Sequence, residues 1–199
     1  MMTMLALALF AFAVGQNGSS FWDHFLTVAD VGVGRLSLIL LDINGDGREE
    51  IFLAPSGTCG NGGCAWYVYS RTESPNHVQY LGEVDVPPAV YRLDRASRTL
   101  TSCWRMSGTE CALVEHRVQN GALSRRTIGS CRSKDDACGV ELTRIARWQR
   151  DEAPPVLSAA VPASIDLTSL EWSESQSASA VRATAVPDFK TLRIVSAPK

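Results

Sequence analysis

Residues 36–54, "LSLILLDINGDGREEIFLA", decide how the chain is read. The run 36–41, "LSLILL", is apolar at nearly every position and too short for a helix, which suits a strand buried on both faces. Residues 51–54, "IFLA", resume the apolar pattern. Between them stand Asp42, Asn44 and Asp46 at alternate positions, then Gly47, then Glu49 and Glu50. Asn-Gly and Asp-Gly are turn dipeptides, so an acidic hairpin turn without a metal explains part of this pattern. A hard cation explains more of it. Ca²⁺ takes six to eight oxygens, and a turn supplies them only when alternate side chains point inward.

Counted from Asp42, the loop has side-chain oxygens at positions one, three and five and a glycine at six, where a sharp bend is needed. Arg48, at seven, offers its main-chain carbonyl. A helix–loop–helix EF-hand would then need a bidentate Glu at position twelve, but Leu53 stands there. The flanks also read as strands. The remaining closure is an acid at position nine, which is Glu50. The resulting Asp42-x-Asn44-x-Asp46-Gly47-x-x-Glu50 resembles the strand–loop–strand calcium loops of the FG-GAP (integrin propeller) and VCBS repeat families. By that resemblance Asp42, Asn44, Asp46 and Glu50 supply side-chain oxygens and Arg48 a main-chain one. The implied cofactor is a structural Ca²⁺ with an extracellular-type affinity on the order of 0.1–1 mM. The resemblance covers residues 36–54 only. Propellers repeat the loop and this chain has one copy, so a full propeller is not expected. The following "CGNGGC" and "AWYVY", residues 59–69, look like a pattern of small exported bacterial proteins in which a single such hairpin precedes a Cys-Gly-rich turn.

Outward from the hairpin, residues 65–69, "AWYVY", and 80–84 read as further strands. Residues 100–127 read as a meander, with a turn at residues 106–109 and another at Asn120-Gly121, a strong short hairpin signal. Val114, His116 and Val118 alternate with Glu115 and Arg117, so one face of that strand meets water. Residues 139–148 fit either a strand or a short helix. Near the start, "FWDHFLTVAD" has Phe21, Trp22, Phe25 and Val28 at roughly helical spacing. The expected fold is mainly β or α+β, with antiparallel strands and hairpins, a short N-terminal helix and disulfide staples.

The chain has 199 residues and a formal charge of -2, which suits one domain and gives no electrostatic footprint for nucleic acid. Residues 4–14, "MLALALFAFAV", form an uncharged apolar run of signal-peptide length, with Ala13 and Gly15 as small residues at a cleavage site. Residues 1–15 are therefore read as a signal peptide, with no transmembrane helix in the mature chain. Residues 16–150 are read as one globular domain carrying the calcium loop at 42–50. Residues 151–199 contain no glycine and no cysteine and are rich in Ser, Ala and Pro, which reads as a largely unstructured tail.

The six cysteines, Cys59, Cys64, Cys103, Cys111, Cys131 and Cys138, read as disulfides in an exported chain. Sequence alone leaves many connectivities open. The three local pairs are preferred because each closes a short loop. Zinc would want C-x2-C or adjacent His ligands, and neither spacing occurs. His24, His77 and His116 stand singly.

No nucleophile elbow, Walker loop, dinucleotide fingerprint or H-E-x-x-H occurs, so no catalytic residue is assigned and a non-enzyme is expected. The expected function is an exported calcium-binding protein, secreted or periplasmic. It would act as a binding or interaction module toward a protein or glycan. The alternative is a small secreted hydrolase or inhibitor-type effector whose site only the fold would assemble.

Overall fold

The structure is a computed structural model. It describes residues 20–29, 34–60, 63–86, 91–107, 110–132, 136–161, 170–171, 173–174 and 186–195. The signal-peptide reading of residues 1–15 falls outside these. The fold is mainly β, built from antiparallel sheets with two helices, and is not a propeller. A short helix, α1 (Phe21–Ala29), precedes β1 (Arg35–Leu41) and β2 (Glu50–Pro55). A 3-10 turn (Ser56–Thr58) leads to β3 (Cys64–Arg71) and β4 (His77–Val86). A second sheet is the meander β5 (Tyr91–Asp94), β6 (Thr99–Arg105), β7 (Glu110–Gln119) and β8 (Ala122–Arg132). The chain continues through α2 (Asp136–Asp151) to β9 (Leu157–Ala160), β10 (Ser173–Glu174) and β11 (Arg193–Ile194). The larger sheet runs β10-β9-β1-β2-β3-β4-β11, and the smaller one β5-β6-β7-β8.

The "LSLILL" run lies at the heart of the larger sheet, between β9 and β2, and both of its faces are covered. Leu36, Leu38 and Leu40 pack with Ile51, Leu53 and the α1 residues Phe21, Trp22 and Phe25. Ile39 and Leu41 point the other way, with Phe52, Ala54, Trp66 and Val68, toward the smaller sheet. A period-2 strand can feed two cores at once only if every position is apolar. Each such side chain contributes roughly 1.5–3 kcal/mol on full burial.

The meander follows its turn signals. Asn120 and Gly121 both take positive φ, 52° and 72°, as a two-residue hairpin turn matched to strand twist requires. Gly121 also admits the Gln79 side chain, whose Nε2 donates to its carbonyl at 2.5 Å and ties the meander to β4. Residues 139–148, ambiguous by period, belong to α2. That helix packs along β5. Arg92 meets Glu141 at 2.8 Å, Gln149 Nε2 donates to the Tyr91 carbonyl at 2.8 Å, and the Tyr91 and Trp148 rings lie 5.2 Å apart.

Within 151–199 the described residues include short strands and buried side chains. β9 pairs antiparallel with β1, and β11 pairs parallel with β4. Phe189 and Leu192 are buried in the α1 core, with Phe189 5.3 Å from Phe21 and 5.2 Å from Trp22. Small Ser and Ala side chains fit a short strand beside β1, and two large apolar residues suffice to anchor the end. The composition average hides both facts.

Two disulfides join the expected local pairs, Cys59–Cys64 and Cys103–Cys111. Cys131 is disulfide-bonded as well. The side chain of Cys138 lies outside the described residues.

Candidate metal centre

The acidic loop leaves the sheet where the β1–β2 register ends, at the pair Leu41 and Glu50. Its backbone is folded by its own side chains. Asp42 Oδ1 accepts from the Gly45 amide at 2.6 Å, and Oδ2 from the Gly47 amide at 3.0 Å. Asn44 Oδ1 accepts from the Asp46 amide and Asp46 Oδ1 from the Arg48 amide, each at 2.8 Å. These are successive Asx turns, the local bonds that draw Asn and Asp into loops. Gly45 and Gly47 take φ of 73° and 83°, where a Cβ is strained.

Glu50 closes the loop from below. Its side chain is fully buried. Oε2 accepts from the Ile43 amide at 2.8 Å, and Oε1 accepts from Asn44 Nδ2 at 2.7 Å and from the Ser70 hydroxyl at 3.1 Å. Burial pushes the Glu50 carboxyl up to about 7; the Ile43 and Ser70 bonds oppose this, and the Asp46 and Asp42 carboxylates add to it. Asn44 Nδ2 also reaches Asp46 Oδ2 at 3.3 Å. One amide group thus lies between the Glu50 and Asp46 carboxylates, with its positive end toward both.

Asp42, Asn44, Asp46 and Glu50 are therefore gathered on one loop. Arg48 takes part through its amide, as a donor to Asp46. Among the described residues no three His, Cys, Asp or Glu side chains already converge in a metal-holding arrangement. The chemistry of the donor set still fits a hard cation. It is all oxygen. Each carboxylate oxygen that accepts an amide proton keeps a second lone pair, whereas Asn44 turns its NH₂ toward Asp46 and Glu50 and its oxygen to the Asp46 amide.

Two residues of this neighbourhood were not singled out in the sequence. Ser70 reaches Glu50 from β3, where the Ile51–Tyr69 pairing puts it opposite Glu50, a register that the sequence alone does not fix. Arg98, in the β5–β6 turn, has its Nε 2.9 Å from where a Gly45 Cβ would stand. This is a second reason for glycine at position 45, and no sequence signal announces it. The histidines do not join the loop. His24 Nδ1 lies 3.3 Å from the Tyr69 hydroxyl, and His116 is buried in the smaller sheet.

The chain matches no protein-family model, no curated protein and no solved structure.

Proposed function

We propose that the protein is an exported binding module whose 42–50 loop holds one structural Ca²⁺. The observation that carries this reading is Glu50, a carboxylate fully buried beneath two further carboxylates and held by three donors. A buried carboxylate beside like charges is unfavourable unless a proton or a cation offsets it, and a Ca²⁺ on this all-oxygen set would do so at neutral pH and above. Asp42, Asn44, Asp46 and Glu50 would hold the ion by side-chain oxygens, and Arg48 by its carbonyl. The ion would neutralise the loop and fix the end of the β1–β2 hairpin. The disulfides support an oxidising, extracytoplasmic compartment, secreted or periplasmic.

Trp66, Tyr67 and Tyr69 lie in the core; the exposed large apolar side chains among the described residues, Met106 and Ile128 on the meander and Val140 and Leu142 on α2, are what supports a protein or glycan partner. Isothermal titration of the disulfide-intact protein with CaCl₂ tests the metal reading. One site with a dissociation constant on the order of 0.1–1 mM is expected, lost in Asp46→Ala and in Glu50→Gln. Equal heats from wild type and both variants would refute it.

A further inference from the structure

The strand β8 ends the smaller sheet, and its outer edge has no neighbour in that sheet. The opposite edge, β5, is shielded by α2, from which Gln149 Nε2 donates to the Tyr91 carbonyl. The larger sheet ends in the two-residue strands β10 and β11. β8, by contrast, has 11 residues. Near its start β4 packs against it, with Gln79 on the Gly121 carbonyl and Leu123 beside Gly82. Beyond that point Arg125, Arg126, Thr127 and Ile128 are all exposed, so both faces of the strand meet water there. An antiparallel strand bonds to its neighbour through alternate residues. Counted from the closing pair Gln119 and Ala122, Ser124 and Arg126 bond to β7, which turns the N–H and C=O of Arg125 and Thr127 outward. Among the described residues no other backbone group takes them up. A row of this kind is a template for a further strand.

We propose that the edge of β8 at Arg125 and Thr127 takes up an acidic, extended segment of a partner protein as an added strand. This rests on reading the protein as a binding module and names the class of its partner. Charge selects the occupant. β8 carries Arg125, Arg126 and Arg132 and no acidic residue. Nearby acids do not saturate them. Glu115 is shared between Arg126 at 2.7 Å and Arg117 at 3.8 Å, and Arg125 meets Asp85 at 3.3 Å. The Arg125 and Arg126 side chains stay 46% and 71% exposed, and exposed pairs of this kind hold weakly. A second copy of β8 would set these arginines against each other, and like charges across a ladder destabilise it. Ile128 is skipped between the pairs Gly129–Leu113 and Thr127–Val114, which makes it a bulge. Bulges and edge charges oppose self-pairing. Carboxylates on an incoming strand would instead meet Arg125 on one face and Arg126 on the other. Main-chain bonds then give the affinity and the arginines the selectivity. No residue of the proposed calcium set takes part, so either proposal can fail alone.

The test uses the full, disulfide-intact chain and a fluorescent peptide of two adjacent Glu flanked by Thr and Val, in EDTA and again in CaCl₂. Affinity is read by fluorescence anisotropy, and the site by the ¹H–¹⁵N shifts of the Arg125 and Thr127 amides. Two control peptides accompany it. One carries Lys in place of Glu. The other keeps the Glu but is N-methylated along its backbone, which preserves the charge and removes the ladder bonds. The expected result is that the acidic peptide moves both amides and binds at least about tenfold tighter than either control. Arg126→Glu should weaken the acidic peptide and strengthen the Lys one. Equal binding of the N-methylated peptide would overturn the proposal, because charge alone would then account for the affinity. Tighter binding of the Lys peptide would do so too, as would no binding at all or a dimer of the free chain paired through β8. Binding of the acidic peptide with the Arg125 and Thr127 amides unmoved would overturn the edge assignment and leave the binding-module reading in place.

Discussion

Glu50 and His116 are both fully enclosed, and burial shifts them in opposite directions. The Glu50 carboxyl rises from 4.5 to about 7 and the His116 ring falls from 6.5 to about 4. Between pH 4.5 and 7 unfolding releases the proton that folded Glu50 retains, so Glu50 lowers stability as pH rises through that window. Between pH 6.5 and 4 the unfolded chain takes up a proton that folded His116 refuses, so His116 lowers stability as pH falls. Each effect is on the order of 3 kcal/mol, and across their shared window the two largely cancel. Urea unfolding in EDTA at stepped pH should show this. Wild type is nearly flat through the shared window, whereas Glu50→Gln loses stability steadily as pH drops from 6.5 to 4. A Glu50→Gln profile as flat as wild type would show that His116 is not shielded as described. The spacing of Asp42, Asn44, Asp46 and Glu50 was legible in the sequence. The burial of Glu50 beneath Ser70 was not, because it depends on a third strand twenty residues away.

At the scale of elements, legibility followed local chemistry. The β1–β2 hairpin, the Asn120-Gly121 turn and α1 could be read from residues whose φ preference or apolar period is unambiguous. The helix α2 could not, because its sequence satisfies no single period strongly and its position depends on Tyr91, Arg92 and Glu141 meeting across the fold. The docking of the described C-terminal residues was hard to read for a related reason. A few anchors fix it, and they are invisible in an average over Ser and Ala. Phe189 is the chief anchor, packed on Phe21 and Trp22, while the Phe21 amide donates to the Leu192 carbonyl at 3.3 Å. Phe189→Ala should therefore cost about 3 kcal/mol in denaturant unfolding. A surface-like change below about 0.5 kcal/mol would mean that the segment does not dock on α1.

For the whole molecule, the larger sheet is a shared wall. One face holds α1 and the C-terminal anchor, and the other holds the smaller sheet and α2. The acidic loop caps the hairpin at the centre of that wall, so a charge change there is felt by both cores. Fold class was legible because strand length and burial on both faces constrain it strongly. The pairing of the two sheets was not, since no local pattern encodes which face meets which. The most direct test of the account is thermal unfolding of the disulfide-intact protein in EDTA and in 10 mM CaCl₂. A site with a dissociation constant of about 0.1–1 mM stabilises by roughly 1.4–2.7 kcal/mol at that concentration. The melting temperature should therefore rise by about 4–8 °C in wild type and not in Glu50→Gln. An unchanged melting temperature in wild type, or an equal rise in Glu50→Gln, would contradict a calcium site closed by Glu50.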